Sequence, residues 1–464
     1  MTTPATSLPP LPWRPAILGL IALLPIPAAG HDDDEHGHDH PPAPVAEAEA
    51  HRPTAIPDRI ILTFAGDPRT SQAVTWRTDT TVHHAFAEIA LADHGPKFVD
   101  RAETVEAESS TLTTDLGEAT FHSVVFEGLE PETTYAYRVG DGVNWSEWAH
   151  FTTASDEEKP FSFIYFGDAQ NDLKSLWSRV IRGAYSDAPK ARFIVHAGDL
   201  VNRSERDAEW GEWFSGGGWV NAMVPSIPTP GNHEYGRSED GQRRLSRHWR
   251  PTFTLPGHGP EGLEETVYFI DYQGVRIISL NSNEKQREQA SWLEGVLADN
   301  PNRWTIVTFH HPIYSAGKGR DNPALRDLWQ PIFDQYAVDL VLQGHDHSYG
   351  RSGLIVGDQN EPTGAVVRNN AGTVYVVSVS GPKMYDLTEN QEWMRRKAED
   401  TQLYQIIRVD GDRLSFEART AIGALYDAFD LVKREGKPNE LIEGTPELGE
   451  RLRRLQAAAE AAGD

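Results

Sequence analysis

The segments FSFIYFGDAQ (residues 161–170) and RFIVHAGDLVN (residues 192–202) decide the fold of this 464-residue chain. In each segment an apolar run typical of a buried strand stops at a Gly-Asp pair. Helix-compatible sequence lies between the two runs, as expected when a helix joins two parallel strands. Because the ligands of α/β sheets gather at the carboxyl ends of the strands, the two aspartates predict a site as well as a fold.

Further apolar runs continue this pattern along the chain, and each stops at a polar cluster. They read VPSIPTPGNHE (224–234), VRIISLNSN (275–283), WTIVTFHHP (304–312) and VDLVLQGHDH (338–347). Amphipathic stretches at 286–297 and 324–336 predict helices between them. We therefore predict an α/β domain over residues 156–430, followed by a partly helical carboxyl-terminal tail over residues 431–464.

Residues 58–155 show short runs of alternating polar and apolar residues separated by turn residues, which is typical of an antiparallel β sandwich. Trp76, Tyr135 and Tyr137 fall in these runs. We interpret them as core and corner residues, because sandwich domains routinely bury Trp and Tyr. An aromatic patch that binds a ligand is the alternative.

Residues 1–30 combine one positive side chain, Arg14, with an apolar run that ends in small residues, a pattern typical of a secretory signal. The run is too short, and too closely bounded by proline, for a comfortable membrane span of about 20 residues. We therefore expect a periplasmic or secreted protein without a stable membrane span after cleavage. An uncleaved membrane anchor is the alternative.

A linker is predicted over residues 31–57. It opens with HDDDEHGHDH (31–40) and continues with a stretch rich in Pro, Ala and Glu that has no apolar periodicity. Runs of this composition bind divalent metals weakly. The His-rich run therefore either gathers metal ions or is a solvated leader.

The charge and the missing cysteines exclude several classes of function. Lys and Arg number 43 against 69 Asp and Glu, for a formal net charge of -26, which argues against binding to a nucleic acid scaffold or to anionic lipid. A phosphorylated substrate would need local positive charge, such as metal ions. With no Cys in the chain, a metal site has to use His, Asp, Glu, Asn or Tyr.

The polar clusters together have the composition of a dinuclear metal site. They contribute Asp168, Asp199, Asn232, His310, His345 and His347. Two divalent ions about 3.5 to 4 Å apart need a bridging carboxylate, with imidazole, amide and carboxylate groups completing each shell. One Gly-Asp or His-His pair is a weak signal, but their recurrence at strand ends through one domain favours a metal-dependent enzyme.

The chain resembles the calcineurin-like metallophosphoesterases, and more closely the purple acid phosphatase branch, which joins a fibronectin type III-like domain to the metal-binding domain. The resemblance covers about residues 58–425 and rests on GDAQ, GDLVN, GNHE, HH and GHDH. It implies a four-layer αββα catalytic domain. It also implies that Asp199 bridges two metal ions, that Asp168 and His347 bind the first, and that Asn232, His310 and His345 bind the second.

Two positions depart from the family pattern at the first metal. Purple acid phosphatases have a tyrosine three residues after the bridging aspartate, where this chain has Asn202, and the broader family has a histidine two residues after the first aspartate, where this chain has Gln170. Without the phenolate we expect no purple colour. Gln170 or Asn202 is expected to offer an amide oxygen, and such a site suits Fe, Mn, Zn, Mg or Ca.

The resemblance also indicates which residues act on a small phosphorylated substrate. His233 matches a family histidine that holds phosphate or protonates the leaving group, and His311 directly follows a predicted ligand. The next segment, PIYSAGKGRDNPALRD (312–327), lacks the further histidines of purple acid phosphatases. Its Lys318 and Arg320 either bind phosphate oxygens or are solvated.

Hydrolysis of phosphate monoesters by metal-activated water is the expected activity. A phosphodiesterase or nucleotide-cleaving enzyme is the alternative on the same site, and Trp210, Trp213 and Trp219 would then stack on a base instead of packing a loop. A non-catalytic exported protein that binds metal or acts in adhesion, with a degenerate site, is the second alternative.

Overall fold

The structure is a computed structural model that describes residues 45–238, 240–357, 366–367, 371–388 and 392–453. The predicted signal and the His-rich run lie outside these residues. A short helix, α1 (Glu47–Ala50), lies inside the predicted linker, and Glu47 forms an ion pair with Arg206 at 2.5 Å. Folded structure therefore begins before residue 58, although the sequence predicted that it would begin at that residue.

The amino-terminal residues form the predicted antiparallel sandwich. Its strands are β1 (Asp58–Thr63), β2 (Ser71–Thr78), β3 (Phe86–Leu91), β4 (Glu103–Glu106), β5 (Glu108–Thr114), β6 (Gly117–Glu127), β7 (Thr134–Gly140) and β8 (Ala149–Thr152). One sheet contains β1-β2-β6-β5 and the other contains β4-β3-β7-β8. Trp76 and Tyr137 are buried in its core, and the Tyr135 hydroxyl accepts a hydrogen bond from the Glu130 N–H at 2.9 Å. The predicted core and corner roles are confirmed.

Two large sheets and two two-stranded sheets make up the catalytic domain. Its strands are β9 (Phe161–Phe166), β10 (Ile194–His196), β11 (Ser226–Pro228), β12 (Tyr235–Arg237), β13 (Arg243–Leu245), β14 (Tyr268–Tyr272), β15 (Val275–Ser279), β16 (Trp304–Thr308), β17 (Leu340–Gln343), β18 (Tyr349–Ser352), β19 (Val356–Gly357), β20 (Val366–Val367), β21 (Val374–Val377), β22 (Met394–Ala398), β23 (Leu403–Asp410), β24 (Arg413–Thr420), β25 (Leu425–Arg434) and β26 (Lys437–Glu443). The first sheet has the order β26-β25-β24-β23-β9-β10-β11, and the second has the order β14-β15-β16-β17-β21-β18-β22. β9 to β11 are parallel to one another, as are β15, β16, β17 and β21.

Helices cover the outer faces of the two sheets, so the catalytic domain has four layers. The helices are α2 (Ser178–Asp187), α3 (Asp207–Gly217), α4 (Trp249–Thr252), α5 (Gln286–Ala298) and α6 (Pro323–Gln335). In the second sheet, Ile277 and Ile306 belong to the core shared with the first sheet, whereas their neighbours Ile278 and Val307 pack with α5 and α6. Because successive strand residues face opposite sides, both faces of this sheet are apolar, which explains the continuous apolar runs. The predicted αββα domain and its two amphipathic helices are confirmed.

The first sheet extends past the predicted end of the catalytic domain at residue 430. β25 crosses that position, and β26 adds an edge strand that ends at Glu443. The start of the predicted tail is thus part of the sheet, where β25 pairs with β26 in antiparallel fashion. Residues 454–464, the end of that tail, lie outside the described part of the chain.

The sandwich and the catalytic domain share one continuous sheet, which the sequence did not predict. β1 pairs in parallel with β11 through Thr63 and Ser226, and the sandwich strands extend the first sheet to eleven strands. A buried cluster stabilises this joint. Asp207, at the start of α3, accepts hydrogen bonds from Arg59 at 2.6 and 2.7 Å and from Arg77 at 3.2 Å.

We expect Asp207→Ala to lower the free energy of unfolding by about 3 kcal/mol, because it leaves the buried Arg59 guanidinium without its carboxylate partner, whereas Arg77 keeps Asp58. Denaturant unfolding measures the change. The control is Glu205→Gln, which removes the partner of the exposed Arg247 and should cost less than about 1 kcal/mol. Equal unfolding midpoints for the two variants would contradict the assignment.

The stabilisation from Asp207 should also depend on pH. Burial raises the pKa of this carboxyl, but hydrogen bonds from His248 and Arg59 outweigh that effect and hold it well below its ordinary value. A carboxyl with a depressed pKa stabilises the fold fully above its unfolded pKa of about 3.9, and that stability is lost as the pH falls below this value. The difference between wild type and Asp207→Ala should therefore shrink in acid.

Candidate metal centre

The predicted ligands meet at the carboxyl ends of parallel strands in both sheets. They follow β9 (Asp168), β10 (Asp199), β11 (Asn232), β16 (His310) and β17 (His345 and His347). Parallel strands end at a common edge, so loops that are distant in sequence converge there. Four of these side chains are fully buried, while Asn232 and His345 are partly exposed. The centre thus has one closed side and one side open to solvent.

Tight backbone turns bring the ligands together. Asp199, His345 and His347 adopt left-handed φ angles of 52°, 75° and 48°, which side chains other than glycine rarely accept. Gly198 has φ 87°, and a Cβ there would lie 2.6 Å from His310 Nδ1. The glycine before the aspartate is therefore required by close approach and by backbone conformation.

One half of the centre is organised around His310. Its Nε2 lies 3.1 Å from Asp199 Oδ2, 3.0 Å from Asn232 Oδ1 and 3.1 Å from His345 Nδ1. The opposite nitrogen, Nδ1, donates a hydrogen bond to the Ala197 carbonyl at 2.9 Å, which directs Nε2 into the cluster. This half offers the carboxylate, amide and imidazole donors that suit a divalent metal ion.

The other half combines Asp168, Asp199 and His347, whose candidate ligand atoms all lie within 4.8 Å of one another. His347 Nδ1 donates to the Lys383 carbonyl at 2.9 Å, so that Nε2 faces the carboxylates. Its Nε2 lies 3.6 Å from Asp168 Oδ1. Asp199 belongs to both halves, as a bridging ligand would.

Gln170 reaches into this second group. Its Nε2 lies 2.9 Å from Asp199 Oδ2 and 3.0 Å from His347 Nε2. A half-turn of the Gln170 side-chain amide exchanges the positions of Nε2 and Oε1. After that turn, Oε1 faces the same two atoms. In the described part of the chain, Gln170 Oε1 and Asp168 Oδ1 are buried without a hydrogen-bond partner. A cation bound among these oxygens would satisfy both, so the residues present fit a metal ion.

Asn202 meets the centre through its backbone. Its carbonyl accepts a hydrogen bond from His233 Nδ1 at 2.5 Å, and its N–H donates to Glu209 Oε2 at 2.9 Å. The His233 side chain is 26% exposed, and its Nε2 lies 3.9 Å from Asp199 Oδ2. Because Nδ1 is engaged, Nε2 is the nitrogen that is left free near Asp199.

The buried carboxylates differ in their electrostatic environments. Burial raises the pKa of Asp168 above its ordinary value, against the opposing charge of His310. Asp199 is equally buried, but His310 and His233 hold its pKa well below the usual range. In return, the two carboxylates outweigh the burial of His310 and raise its pKa to about 9. Asp168 is therefore the less compensated carboxylate.

Two buried acids that the sequence analysis did not single out position the ligand loops. Glu234 accepts backbone hydrogen bonds from Asp199, Leu200, Val201 and Gly231 at 2.7 to 3.3 Å. Asp346 accepts from the Ser315 hydroxyl and from the N–H groups of Ala316 and Gly317 at 2.6 to 3.0 Å. Glu234 lies in the motif GNHE and Asp346 lies in the motif GHDH. These motifs were the sequence signal that could have identified the two acids.

The residues predicted to act on the substrate differ in their distance from the centre. His311 Nδ1 lies 2.8 Å from the Ser282 hydroxyl, and its ring centroid lies 4.4 Å from that of His345. Arg320 Nη2 lies 2.6 Å from His345 Nε2. The structure therefore brings both to the centre. Lys318 is exposed, and its backbone N–H donates to the Asp386 carbonyl at 3.3 Å.

The tryptophans of the predicted pocket loop mostly pack inside the protein. Trp210 and Trp213 are fully buried in the core that α3 forms with the first sheet, whereas Trp219 is 60% exposed. The first two therefore pack the loop and are not available to stack on a substrate base.

Two family models match the chain. Residues 57–153 match the amino-terminal domain of purple acid phosphatases, and residues 161–349 match the calcineurin-like phosphoesterases. These ranges contain the sandwich and the loops that carry all the predicted ligands. The two matches follow one another in the order that the resemblance implied.

Individual proteins agree with these models. An uncharacterized protein of Mycobacterium tuberculosis is 28% identical over 372 residues, which cover 69% of this chain and 68% of that protein. Mouse acid phosphatase type 7 is 27% identical over 371 residues, which cover 71% of this chain and 78% of that protein. Among solved structures, the purple acid phosphatase PPD1 from yellow lupin superposes with a TM-score of 0.67 at 20% identity, covering 82% of this chain and 75% of that one. At this low identity, the similarity to the lupin enzyme shows a shared fold alone.

Proposed function

Because the chain belongs to the purple acid phosphatase-like branch of the calcineurin-like phosphoesterases, we propose that it is an exported enzyme that hydrolyses phosphate monoesters at a two-metal centre. The family makes the protein a metal-dependent phosphoric ester hydrolase. Monoester preference and export are the finer parts of the proposal.

One observation carries the proposal: two groups of candidate ligand atoms share the carboxylate of Asp199. A two-metal phosphoesterase needs this arrangement, because both ions must lie close enough to contact one phosphoryl group. In our proposal Asp168, Gln170, His347 and Asp199 hold the first ion, while Asp199, Asn232, His310 and His345 hold the second. Asn202 contributes by orienting His233 rather than as a ligand.

Two divalent ions held by these residues would supply a water activated for attack on phosphorus and would neutralise phosphate charge. The protein's own part is positioning. Asn202 holds His233 through Nδ1, so its Nε2 can give a proton to the leaving oxygen. The Arg320 guanidinium provides donors for the non-bridging phosphate oxygens, where purple acid phosphatases use histidines. His311 borders the same side of the centre.

Export is supported by the signal-like pattern of the first thirty residues. Among the described residues, no helix has both the length and the apolar character needed to cross a lipid bilayer. We therefore propose a periplasmic or secreted enzyme. Amino-terminal sequencing of the protein recovered from the periplasm or medium would test this, and a cytoplasmic protein that keeps residue 1 would overturn it.

The activity is tested by stripping the metals and restoring single ions. We expect p-nitrophenyl phosphate to be hydrolysed faster than bis(p-nitrophenyl) phosphate once two ions per chain are bound, as counted by mass spectrometry. Faster diester hydrolysis would favour the phosphodiesterase alternative. Fewer than two ions and no turnover, with residues 31–40 deleted so that their weak sites do not contribute, would favour a degenerate binding protein.

We predict that Gln170→Ala weakens the binding of one ion by about 10- to 100-fold and leaves the other ion unchanged, because it removes only one oxygen from the first half. Gln170→His, which introduces the family's nitrogen ligand, should strengthen the same ion instead. Chelator competition followed by metal analysis measures both. Equal loss of both ions from Gln170→Ala would contradict the assignment.

A further inference from the structure

We propose that Tyr385 is a positioning residue whose aromatic ring holds the Arg320 guanidinium against the candidate ligand His345. This inference rests on the proposed function, because that function gives Arg320 its role in binding phosphate. Tyr385 contacts neither an ion nor the phosphate in this proposal and acts through Arg320. It lies in none of the motifs that the sequence analysis singled out.

The ring of Tyr385 connects groups from both halves of the centre. Its centroid lies 4.7 Å from that of the His347 imidazole, in the half that contains Asp168. The central carbon of the Arg320 guanidinium lies over the ring, 5.1 Å from its centroid. Arg320 Nη2 in turn lies 2.6 Å from His345 Nε2 and 3.2 Å from the His345 carbonyl, in the other half. One side chain therefore contacts a candidate ligand of the first ion and the arginine that lies at a candidate ligand of the second.

The nearest carboxylate restrains the Arg320 guanidinium weakly. Arg320 Nε lies 3.4 Å from Asp346 Oδ1, and within the described part of the chain neither atom forms a hydrogen bond. A cation over the face of an aromatic ring is attracted by the negative charge density of that face. The Tyr385 ring therefore adds a restraint that the carboxylate does not supply. The same ring also attracts Lys383, whose Nζ lies 5.3 Å from its centroid.

Backbone contacts fix the position of Tyr385. Its N–H donates to the His347 carbonyl at 3.0 Å. Two further backbone hydrogen bonds join the segment that follows Tyr385 to the loop that carries Arg320, from the Lys318 N–H to the Asp386 carbonyl at 3.3 Å and from the Thr388 N–H to the Ala316 carbonyl at 2.8 Å. None of these contacts involves the Tyr385 side chain, so a substitution there removes the ring and keeps the two segments joined.

A buried acid holds the same segment from its other side. Glu399 is 8% exposed, and its carboxylate accepts hydrogen bonds from the N–H groups of Leu387 at 2.9 Å and Arg453 at 2.7 Å. A buried carboxylate with two backbone donors holds a loop firmly. The segment that carries Tyr385 therefore lies between the Arg320 loop and Glu399, and its ring can serve as a fixed support.

The test is orthophosphate binding to the metal-loaded protein, measured by calorimetry, with metal content counted by mass spectrometry. We expect Tyr385→Leu, which keeps an apolar side chain without an aromatic face, to weaken this binding about 3- to 10-fold, as loss of one cation–π contact does. Both ions should stay bound. Tyr385→Gln is a second variant without a ring and should show the same loss.

Two tyrosine variants serve as controls. Tyr385→Phe keeps the ring and should bind orthophosphate as wild type does. Tyr336→Leu removes another half-buried tyrosine, which packs on the core that α5 and α6 form with the second sheet, and it should also match wild type. In Tyr385→Leu the KM for p-nitrophenyl phosphate should rise by the factor that orthophosphate binding loses, with a smaller change in kcat, because a contact to bound phosphate is made before and during the reaction.

A double-mutant comparison shows whether Tyr385 acts through Arg320. In an Arg320→Gln background, Tyr385→Leu should cause no further loss of orthophosphate binding. A further loss there would assign the effect to Lys383 and overturn the proposal. Loss of an ion from Tyr385→Leu, or equal weakening in Tyr385→Phe, would also overturn it. If wild type hydrolyses no phosphate ester, the proposed function fails, and the orthophosphate comparison still decides whether Tyr385 positions Arg320.

Discussion

Asp199→Ala should leave the protein with at most one tightly bound ion per chain and with kcat reduced by at least about 10³-fold. Loss of a partner outside the ligand shell typically costs 10- to 100-fold in metal affinity or activity, and Asp199 contributes directly to both halves of the centre. Its Oδ2 lies 3.1 Å from His310 Nε2 and 2.9 Å from the Gln170 amide. No other carboxylate of the described residues belongs to both groups.

The measurement is metal content by mass spectrometry together with turnover of p-nitrophenyl phosphate. Asp172→Asn is the control, because Asp172 is an exposed carboxylate of the loop that follows Asp168 and asparagine accepts its left-handed backbone. Circular dichroism should show that both variants are folded. Two retained ions with full turnover in Asp199→Ala would end the bridging assignment.

His233→Ala should keep both ions but lower kcat by 10²- to 10⁴-fold, the usual contribution of a general acid. Its Nδ1 is engaged by Asn202, and its Nε2 is left free 3.9 Å from Asp199 Oδ2. The loss should depend on the leaving group. A proton matters most for a poor leaving group, so alkyl phosphates should suffer more than p-nitrophenyl phosphate.

This dependence separates proton donation from phosphate binding. If His233 only held phosphate, both substrates would lose activity by a similar factor and inhibition by orthophosphate would weaken. The comparison variant is His94→Ala, an exposed histidine of the amino-terminal sandwich, which should match wild type on both substrates. A uniform loss in His233→Ala would contradict the acid role.

The sequence predicted which candidate side chains lie together because motif and topology coincide. Gly-Asp, Asn-His and His-x-His groups each follow an apolar run, and the carboxyl ends of parallel strands meet at one edge. Proximity of Asp168, Asp199 and His310 could therefore be predicted without knowing the strand order. The same reasoning predicted the αββα layers from runs that are apolar on both faces.

Other features depend on contacts between distant residues, and no local pattern reveals them. Glu234 and Asp346 are acids in loops, where most acids are solvated, and only their buried hydrogen bonds distinguish them. Lys318 and Arg320 stand two residues apart in one loop, yet Lys318 is exposed while Arg320 contacts His345. The conformation of a Gly-rich loop decides which one turns inward, and composition does not fix that conformation.

The shared sheet has a consequence for how the protein can be divided. Thr63 pairs with Ser226 on β11, and the candidate ligand Asn232 follows the end of that strand. Removing the amino-terminal sandwich would therefore expose the backbone of β11 as a new edge, which invites aggregation, and would loosen the segment that leads to the centre. A fragment of residues 156–453 should therefore not fold stably on its own. Hydrogen exchange should show β1 and β11 opening together as one cooperative unit.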